Sequence, residues 1–382
     1  MNQKIPADLL TQIQYLRQDF HRNPELSQKE FRTTAIIKEF LLQRGIRILP
    51  TEMETGVIAE IGEGEGPIIG LRADIDALPI TEITDLPYKS IHENVMHACG
   101  HDFHMASLLG AAILLKQKEE ILSGRIRLIF QPAEEIFAGA QAVIKTGLIQ
   151  DLHAIIGYHN DPSIAAGTYG IRKNQLMASV DRFQVIIHGK GTHAAAPHLG
   201  SDPIVTASQI INMIQAIISR YVGPSDPAVL SVTHIIAGDT WNVIPDRVFF
   251  EGTVRTYSQP VREQILELVD KIIQNTCDDF QQSAEIKWLK GPPAIENDSD
   301  LTELFERVLP NIGTTIVPEA SMAGEDFAYY QEIIPSLFIR IGTGKGYPLH
   351  HPGFLVNDEV LPQAITYFVE GSLALLKYYT ET

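Results

Sequence analysis

Cysteine is nearly absent. Cys99 and Cys277 are the only two in 382 residues, so no disulfide framework can hold this fold together. Positive charge is also scarce: 30 Lys and Arg stand against 47 Asp and Glu, a formal net charge of −17. That balance removes the basic footprint which nucleic acid or an anionic membrane requires of a partner, and it serves solubility. Long apolar runs are missing too. The longest, Met105–Leu115, stops at Lys116 and is too short to span a bilayer. Met1–Leu16 lacks the basic-then-apolar pattern of a secretory leader. A thiol kept free fits a reducing compartment, so the expected address is the cytoplasm, with neither nucleic acid nor membrane as partner. No internal repeat or low-complexity stretch appears, and the length suits two domains or one large one.

What is present concentrates in Met96–His104, which reads M-H-A-C-G-H-D-F-H. Thiolate and imidazole are the ligands that borderline-soft divalent metals prefer, which makes Cys99 and His101 candidate ligands. Either residue could instead be ordinary core, although Gly100, Asp102 and His104 make the stretch polar, which speaks against that reading. Asp76 and Asp102 are available to accept a hydrogen bond from a ligand histidine's second nitrogen, or to serve merely as surface acids or helix caps.

Helical spacing over residues 5–20 (Leu9, Leu10, Ile13, Leu16, Phe20) ends at Asn23-Pro24, and a second helix carries Phe31, Ala35, Ile36, Phe40 and Leu41 up to Gly45. Val57–Ile61 and Ile68–Leu71 read as strands around a glycine-rich turn. Arg125–Phe130 and Leu152–Tyr158 read as two more, with Glu134-Glu135 and His159 just past their ends. In α/β sheets, sites form where strands finish. Adjacent carboxylates on a loop diverge, so one of Glu134 and Glu135 can hold a metal while the other handles a proton, although most Glu-Glu pairs are simply solvated. His159 alone would normally be a satisfied buried histidine. His350 and His351 cannot be separated by spacing.

After Asn174 the pattern changes. Strand Asp181–Gly189, helix Pro203–Arg220, strands Ala228–Ile236 and Arg247–Thr256, helix Glu263–Phe280 and strand Ala284–Leu289 give a β-α-β-β-α-β order, which is the ferredoxin-like arrangement. From Leu301 the α/β texture resumes through strand Ser336–Ile341 and a final helix. We expect a small α+β domain over 178–290 inserted into an α/β domain formed by 1–177 and 291–382. His193, Asn242 and Arg255 fall in the insertion. An arginine and a side-chain amide suit a substrate carboxylate, or are ordinary strand-end polarity.

Eight stretches, in order, carry a resemblance. They are Arg72–Pro79, His97–Asp102, Gln131–Glu135, Gly157–Asn160, Gly189–His193, Trp241–Pro245, Gly324–Phe327 and Leu349–Pro352. Together they resemble the aminoacylase/carboxypeptidase family of dinuclear-metal amidohydrolases. The nearest branch is that of hippurate hydrolases, indoleacetyl-amino-acid hydrolases and bacterial N-acetyl-diaminopimelate and N-acetylcysteine deacetylases. The resemblance runs almost end to end. It implies an α/β metallo-exopeptidase-like catalytic domain with an inserted ferredoxin-like lid. It further implies that Cys99, His101, Glu135, His159 and one C-terminal histidine hold two divalent ions, with Cys99 bridging. The family's Leu-His-x-Pro pattern selects His350 over His351. Glu134 matches the general base, and His193 a lid histidine that stabilises the oxyanion in a neighbouring subunit's site. Asn242 and Arg255 match residues near the substrate's carboxylate. Ala323 departs from the Gly or Ser usual before Gly-Glu-Asp, which bears on the backbone there and not on the metals.

The implied activity is hydrolysis of an N-acyl, in the first place N-acetyl, amino acid, by a homodimer or higher homo-oligomer joined through the lid. The implied metals are zinc or manganese, and cobalt or nickel would suit the same donors. The competing expectations are a metallo-dipeptidase or carboxypeptidase on the same scaffold and a catalytically silent amide-binding protein. A proton shuttle at Glu134 speaks against the latter. The paired-cysteine spacing of a zinc nucleobase deaminase is absent.

Overall fold

The computed structural model describes residues 5–344 and 346–381. By its internal contacts the chain forms two compact units. One comprises Met1–Asn174, Glu296–Glu319 and Asp326–Thr382, and the other Gln175–Ile295 with Ala320–Glu325. The second unit therefore interrupts the first in sequence.

The first unit is built on an eight-stranded mixed sheet. Its strand order is Arg47–Ile48, Val57–Ile61, Arg125–Gln131, Ile68–Asp74, Ala154–Asp161, Ser336–Gly342, Thr168–Gly170 and Thr314–Ile316. Ile68–Asp74 lies at its heart, parallel to Arg125–Gln131 on one side and to Ala154–Asp161 on the other, and Ser336–Gly342 runs parallel beyond. These central strands are buried on both faces, which is why their sequences are nearly continuous apolar runs rather than alternating ones. Their carboxyl ends lie side by side and deliver Asp74, Gln131 and His159 to one edge of the sheet.

Several boundaries differ from the sequence expectation, among them the strand expected over Ile68–Leu71, which runs on to Asp74. Ala154–Asp161 continues past Tyr158, because its parallel pairing with Ser336–Gly342 runs on to Asp161 opposite Gly342. His159 therefore lies inside a strand, opposite Arg340. The apolar run Met105–Leu115 lies inside a helix that begins at His101 and runs to Lys116. All but Ile113 and Lys116 of its residues are buried. A helix apolar all round belongs in a core, and this one packs between the sheet and the helices Ala7–Arg22 and Leu361–Glu381.

Gly100 sets where that helix starts. It has φ +89°, and a Cβ built there would lie 2.7 Å from the side-chain amide of Asn160. Only glycine adopts this backbone freely and leaves room for the amide.

The second unit carries a four-stranded antiparallel sheet in the order Ala228–Ala237, Arg247–Thr256, Ser179–His188, Ser283–Lys290. This is the strand order of a ferredoxin-like fold. Arg247–Thr256 alternates buried and less buried positions, so one face is covered. Val185, Ile187, Val248 and Phe250 meet Ile210, Ile214 and Ile217 of the helix Pro203–Arg220 and Ile265, Val269 and Ile273 of the helix Gln259–Asp279. The second helix starts four residues earlier than expected because Pro260 sits in its first turn, where a missing N–H costs nothing.

Gly100→Ala should lower stability by about 1–3 kcal/mol, the cost of forcing a side chain into the left-handed region, and should weaken metal retention at Cys99 and His101. Thermal unfolding and metal content measured after dialysis check this. An unchanged midpoint would show that the Asn160 amide moves aside without penalty.

Candidate metal centre

Four chain segments converge at the carboxyl edge of the large sheet, one of them the loop that carries His350. Gly100, in the left-handed region, directly precedes the helix, so that Cys99 lies just before its N-terminus and His101 opens it. Arg125–Gln131 leads into a single 3₁₀ turn, Glu134–Ile136, bracketed by Ala133 at φ 54° and Phe137 at φ 56°. The strand Ala154–Asp161 supplies His159.

Cys99 sits at the centre. Its Sγ lies 3.3 Å from His159 Nε2 and 3.3 Å from His350 Nε2. Glu135 completes the ring: its Oε2 is 3.5 Å from His350 Nε2, and its Oε1 is 3.7 Å from His101 Nε2. The donor atoms of Cys99, His101 and His159 lie within 4.8 Å of one another, as do those of Cys99, Glu135 and His350, and those of His101, Glu134 and Glu135. Cys99 thus belongs to two overlapping groups, the arrangement a bridging thiolate needs.

Two buried donor atoms, His101 Nε2 and Glu135 Oε1, make no hydrogen bond. Orphaned buried polar atoms are costly, and a divalent cation between them would satisfy both. The mixed thiolate, imidazole and carboxylate set suits such an ion. By donor chemistry and by orphaned atoms, the residues fit a metal.

The structure separates the two adjacent histidines. His350, in the left-handed region at φ 64°, donates its N–H to Ala98 O and turns its ring onto Cys99. His351 accepts Gly353 N–H on Nδ1 at 3.0 Å, and its ring stacks on Tyr347 at 4.1 Å. The site is graded: Cys99, His101, His159 and Glu134 are buried, Glu135 is partly so, and His350 is 52% exposed at the rim.

Buried carboxylates hold these groups in place. Asp76 stands 3.2 Å from His101 Nδ1, and it also accepts Ser27 Oγ–H at 2.7 Å and the Glu135 N–H at 3.0 Å. Holding Nδ1 this way leaves Nε2 as the lone-pair donor. Glu30 accepts the Ala133 N–H at 2.9 Å, so both ends of the Glu134-Glu135 turn are fixed through backbone amides.

Asp102 behaves differently from the expectation. It touches no candidate ligand and accepts instead from Arg17 at 3.0 Å and from His21 at 2.9 Å. On the helix starting at His101, its side chain points toward the N-terminal helix Ala7–Arg22. His104, third of the clustered histidines, is not free to ligate either. Its Nδ1 meets Asp74 at 2.6 Å and its Nε2 accepts the Asn160 N–H at 3.1 Å.

Sequence reasoning passed over the roles of Asp74, His104, Asn160 and Glu30. Two carboxylates directly after an apolar strand were a signal for Asp74; Glu30 had none.

The second unit holds the remaining three candidates. His193 is exposed on a two-residue strand paired with Val243–Ile244, and its Nδ1 accepts the Ala195 N–H at 3.1 Å. That leaves Nε2 to carry the proton. Asn242 O accepts the Ala194 N–H at 3.0 Å. Arg255 donates to Met322 O at 2.9 Å, and partial burial lowers its pKa.

Charges at the centre are strongly displaced. Burial raises the Cys99 thiol, and Glu135, Glu134 and Asp74 raise it further, well above the usual thiol range. Burial opposes a charge on His101, but Asp74 and then Asp76 outweigh it and push its pKa up to about 10. Burial, followed by repulsion from His104, holds His159 neutral.

An α/β scaffold carrying overlapping candidate metal-ligand groups and an adjacent carboxylate at the carboxyl edge of its sheet is that of a metal-dependent hydrolase. Residues 70–371 match peptidase family M20/M25/M40, and the chain belongs to that family. It is therefore an α/β catalytic domain with an inserted lid.

Among its relatives, an N-acetyl-L-cysteine deacetylase of Bacillus subtilis (strain 168) is 49% identical over 376 residues, covering 97% of this chain and 90% of that protein. An N-acetylcysteine deacetylase of the same organism is 44% identical over 370 residues, covering 96% and 97%. The crystal structure of the Bacillus subtilis YXEP protein, a dinuclear metal-binding peptidase, aligns with a TM-score of 0.87 at 41% identity, covering 97% of this chain and 99% of that one.

Metal uptake should displace protons. Cys99 and His101 both bind a proton at neutral pH in the metal-free protein, since their pKa values lie above it, and each must lose it to donate a lone pair. Loading at pH 7–8 should release about two protons per centre, so that affinity rises with pH. Titration calorimetry in buffers of different ionisation enthalpy measures the number, and a heat independent of buffer would contradict it.

Proposed function

We propose that this enzyme hydrolyses the amide bond of N-acyl amino acids, N-acetyl compounds first among them, to a carboxylic acid and a free amino acid. The observation that carries the reading is the convergence of Cys99, His101, Glu135, His159 and His350 around a shared thiol, with Glu134 beside them. The N-acetylcysteine deacetylases among its relatives supply the substrate class.

In this reading those five residues hold two divalent ions, zinc or manganese, with cobalt or nickel as substitutes. Once bound, the ions polarise the acyl carbonyl and acidify water. Glu134 takes the proton of the attacking water on its carboxylate and returns it to the amide nitrogen as the C–N bond breaks. His193 donates from Nε2 to the developing oxyanion. Arg255 and Asn242 receive the substrate carboxylate. Asp76 keeps His101 in the ligating tautomer.

We also assign a homodimer joined through the lid. In the second unit the edge strand Ala228–Ala237 exposes Ile235 and Ile236, and the helix Pro203–Arg220 exposes Ile204, Val205 and Met213. An unpaired apolar edge beside an apolar helix face suits a second copy of the same surface.

Glu134→Gln should bind metal normally and lose about 100- to 10,000-fold in kcat. Turnover of N-acetyl, N-benzoyl and dipeptide substrates by apo-enzyme reloaded with Zn²⁺, Mn²⁺ or Co²⁺ tests the rest. N-acetyl amino acids should be cleaved and dipeptides left intact. Near-normal activity of Glu134→Gln would refute the base assignment, and dipeptide preference would refute the substrate class. Sedimentation velocity should find a dimer that Ile236→Lys shifts toward monomer; a monomeric wild type would remove the oligomer assignment.

A further inference from the structure

We propose that Arg72 is a positioning residue that locks the proton-shuttling carboxylate and the thiolate side of the metal centre into one rigid frame. The inference rests on the reading of Glu134 as the base and goes beyond it by naming what holds that base in register with the ligands.

Arg72 comes from the central strand Ile68–Asp74 and is 1% exposed. Its guanidinium is used in three directions. Nε donates to Gln131 Oε1 at 2.9 Å, one terminal nitrogen to Asp74 Oδ2 at 2.8 Å, and the other to Asp326 Oδ1 at 2.9 Å. Gln131, Asp74 and Asp326 are all 0% exposed. A planar fork spanning three fixed acceptors is a geometry that arginine supplies and lysine does not.

From that fork two arms run to the site. The base arm passes through Asp326. Its carboxylate also accepts from Gln131 Nε2 at 2.8 Å and from the Ala140 N–H at 2.9 Å, and its own N–H donates to Glu134 Oε1 at 3.4 Å. Asp326 thus grips the loop that carries Glu134 at both ends and touches the carboxylate itself.

The ligand arm passes through Asp74, which takes His104 Nδ1 at 2.6 Å. His104 Nε2 accepts the Asn160 N–H, and the Asn160 side chain donates to Cys99 O at 2.6 Å. Asn160 follows His159 directly in the strand. Cys99 and His159 are therefore placed by a chain that begins at the same guanidinium as the chain that places Glu134.

Two buried carboxylates share this buried cation, and Asp74 also faces His104 and His101, so removing the cation outright would disturb the whole buried charge network at a cost of several kcal/mol. The informative variants keep charge or shape. Arg72→Lys retains the charge but cannot span three acceptors. Asp326→Asn cuts the base arm, and His104→Gln cuts the ligand arm.

Each variant is assayed as the metal-loaded enzyme for kcat and KM, and separately for equilibrium metal affinity and for the visible spectrum of the cobalt form. Asp326→Asn should lower kcat by about 10- to 100-fold, with KM, metal affinity and cobalt spectrum unchanged. His104→Gln should weaken metal affinity by about 10- to 100-fold and shift the cobalt–thiolate absorption. Arg72→Lys should show both defects, and adding Asp326→Asn to it should lower kcat no further, because members of one network are not additive.

A folded Arg72→Lys protein with wild-type kcat and metal affinity, or one altered only in thermal midpoint, would overturn the proposal. If that variant does not fold, the other two decide: loss of stability alone, or the reverse pattern of defects, would overturn it. Glu134→Gln in the same assay keeps the two readings apart, since an active Glu134→Gln enzyme would sink the base assignment whatever Arg72 does.

Discussion

Ionised groups taken out of water must be answered within the protein, and this governs the whole carboxyl edge of the large sheet. Asp74, Asp76, Asp102, Glu30 and Asp326 are each less than 2% exposed. Burial alone would raise the pKa of such acids. Asp74 nevertheless sits well below the usual carboxylate range, because His101, His104 and Arg72 together outweigh its desolvation. Asp102 is held low in the same way by Arg17 and His21. Among the described residues no cation pairs with Glu30: burial raises its pKa and the Asp76 carboxylate adds to that, against the hydrogen bonds from backbone amides and Thr55 that lower it. The centre is therefore a set of acids whose charge states are fixed by particular neighbours, and those neighbours also set where the side chains point.

A second consequence concerns the thiol. Cys99 is surrounded by Glu135, Glu134 and Asp74, all of which oppose a thiolate. Without a cation, this environment makes Cys99 inert as a nucleophile. A coordinating divalent ion inverts that logic and deprotonates a bound thiol. A surplus of carboxylates around the sulfur, which would be a defect in a cysteine hydrolase, is what a dicationic centre calls for. The same surplus raises His101, whose proton then competes with metal. Affinity and acidity are thus coupled at the two residues on either side of Gly100.

Much of this was legible in the sequence. The strand Val57–Ile61, the helix Pro203–Arg220 and the strand Arg247–Thr256 fall at the expected positions, because caps, proline and alternation are local signals. The β-α-β-β-α-β order of the insertion was readable for the same reason. The extent of Ala154–Asp161 was not, since a parallel partner some 180 residues away sustains its last turns of pairing. Nor could spacing choose between His350 and His351, because the choice rests on the Tyr347 stack and the Gly353 amide. Asp102 misled for a related reason: proximity in sequence to His101 places it one helical step around, facing Arg17 rather than the centre. Contacts decided by neighbours distant in the chain leave no periodicity to read.

Backbone conformation gives an independent argument for where the chemistry lies. Non-glycine residues seldom occupy positive φ, and each that does costs about 1–3 kcal/mol. Ala133 and Phe137 bracket the Glu134-Glu135 turn, and His350 is itself such a residue. Near the centre this cost is offset by specific bonds: Glu30 on the Ala133 amide, Asp76 on the Glu135 amide, and Ala98 O on the His350 amide. A turn serving only to reverse the chain could use glycine and avoid the expense. Here the left-handed residues bracket a turn whose two carboxylates lie within 4.8 Å of each other beside His101, Glu135 reaching toward His101 and His350 and Glu134 toward the amide of Asp326. Two carboxylates side by side with different further partners is an arrangement in which one can hold metal while the other moves a proton, and the backbone is bent to meet it.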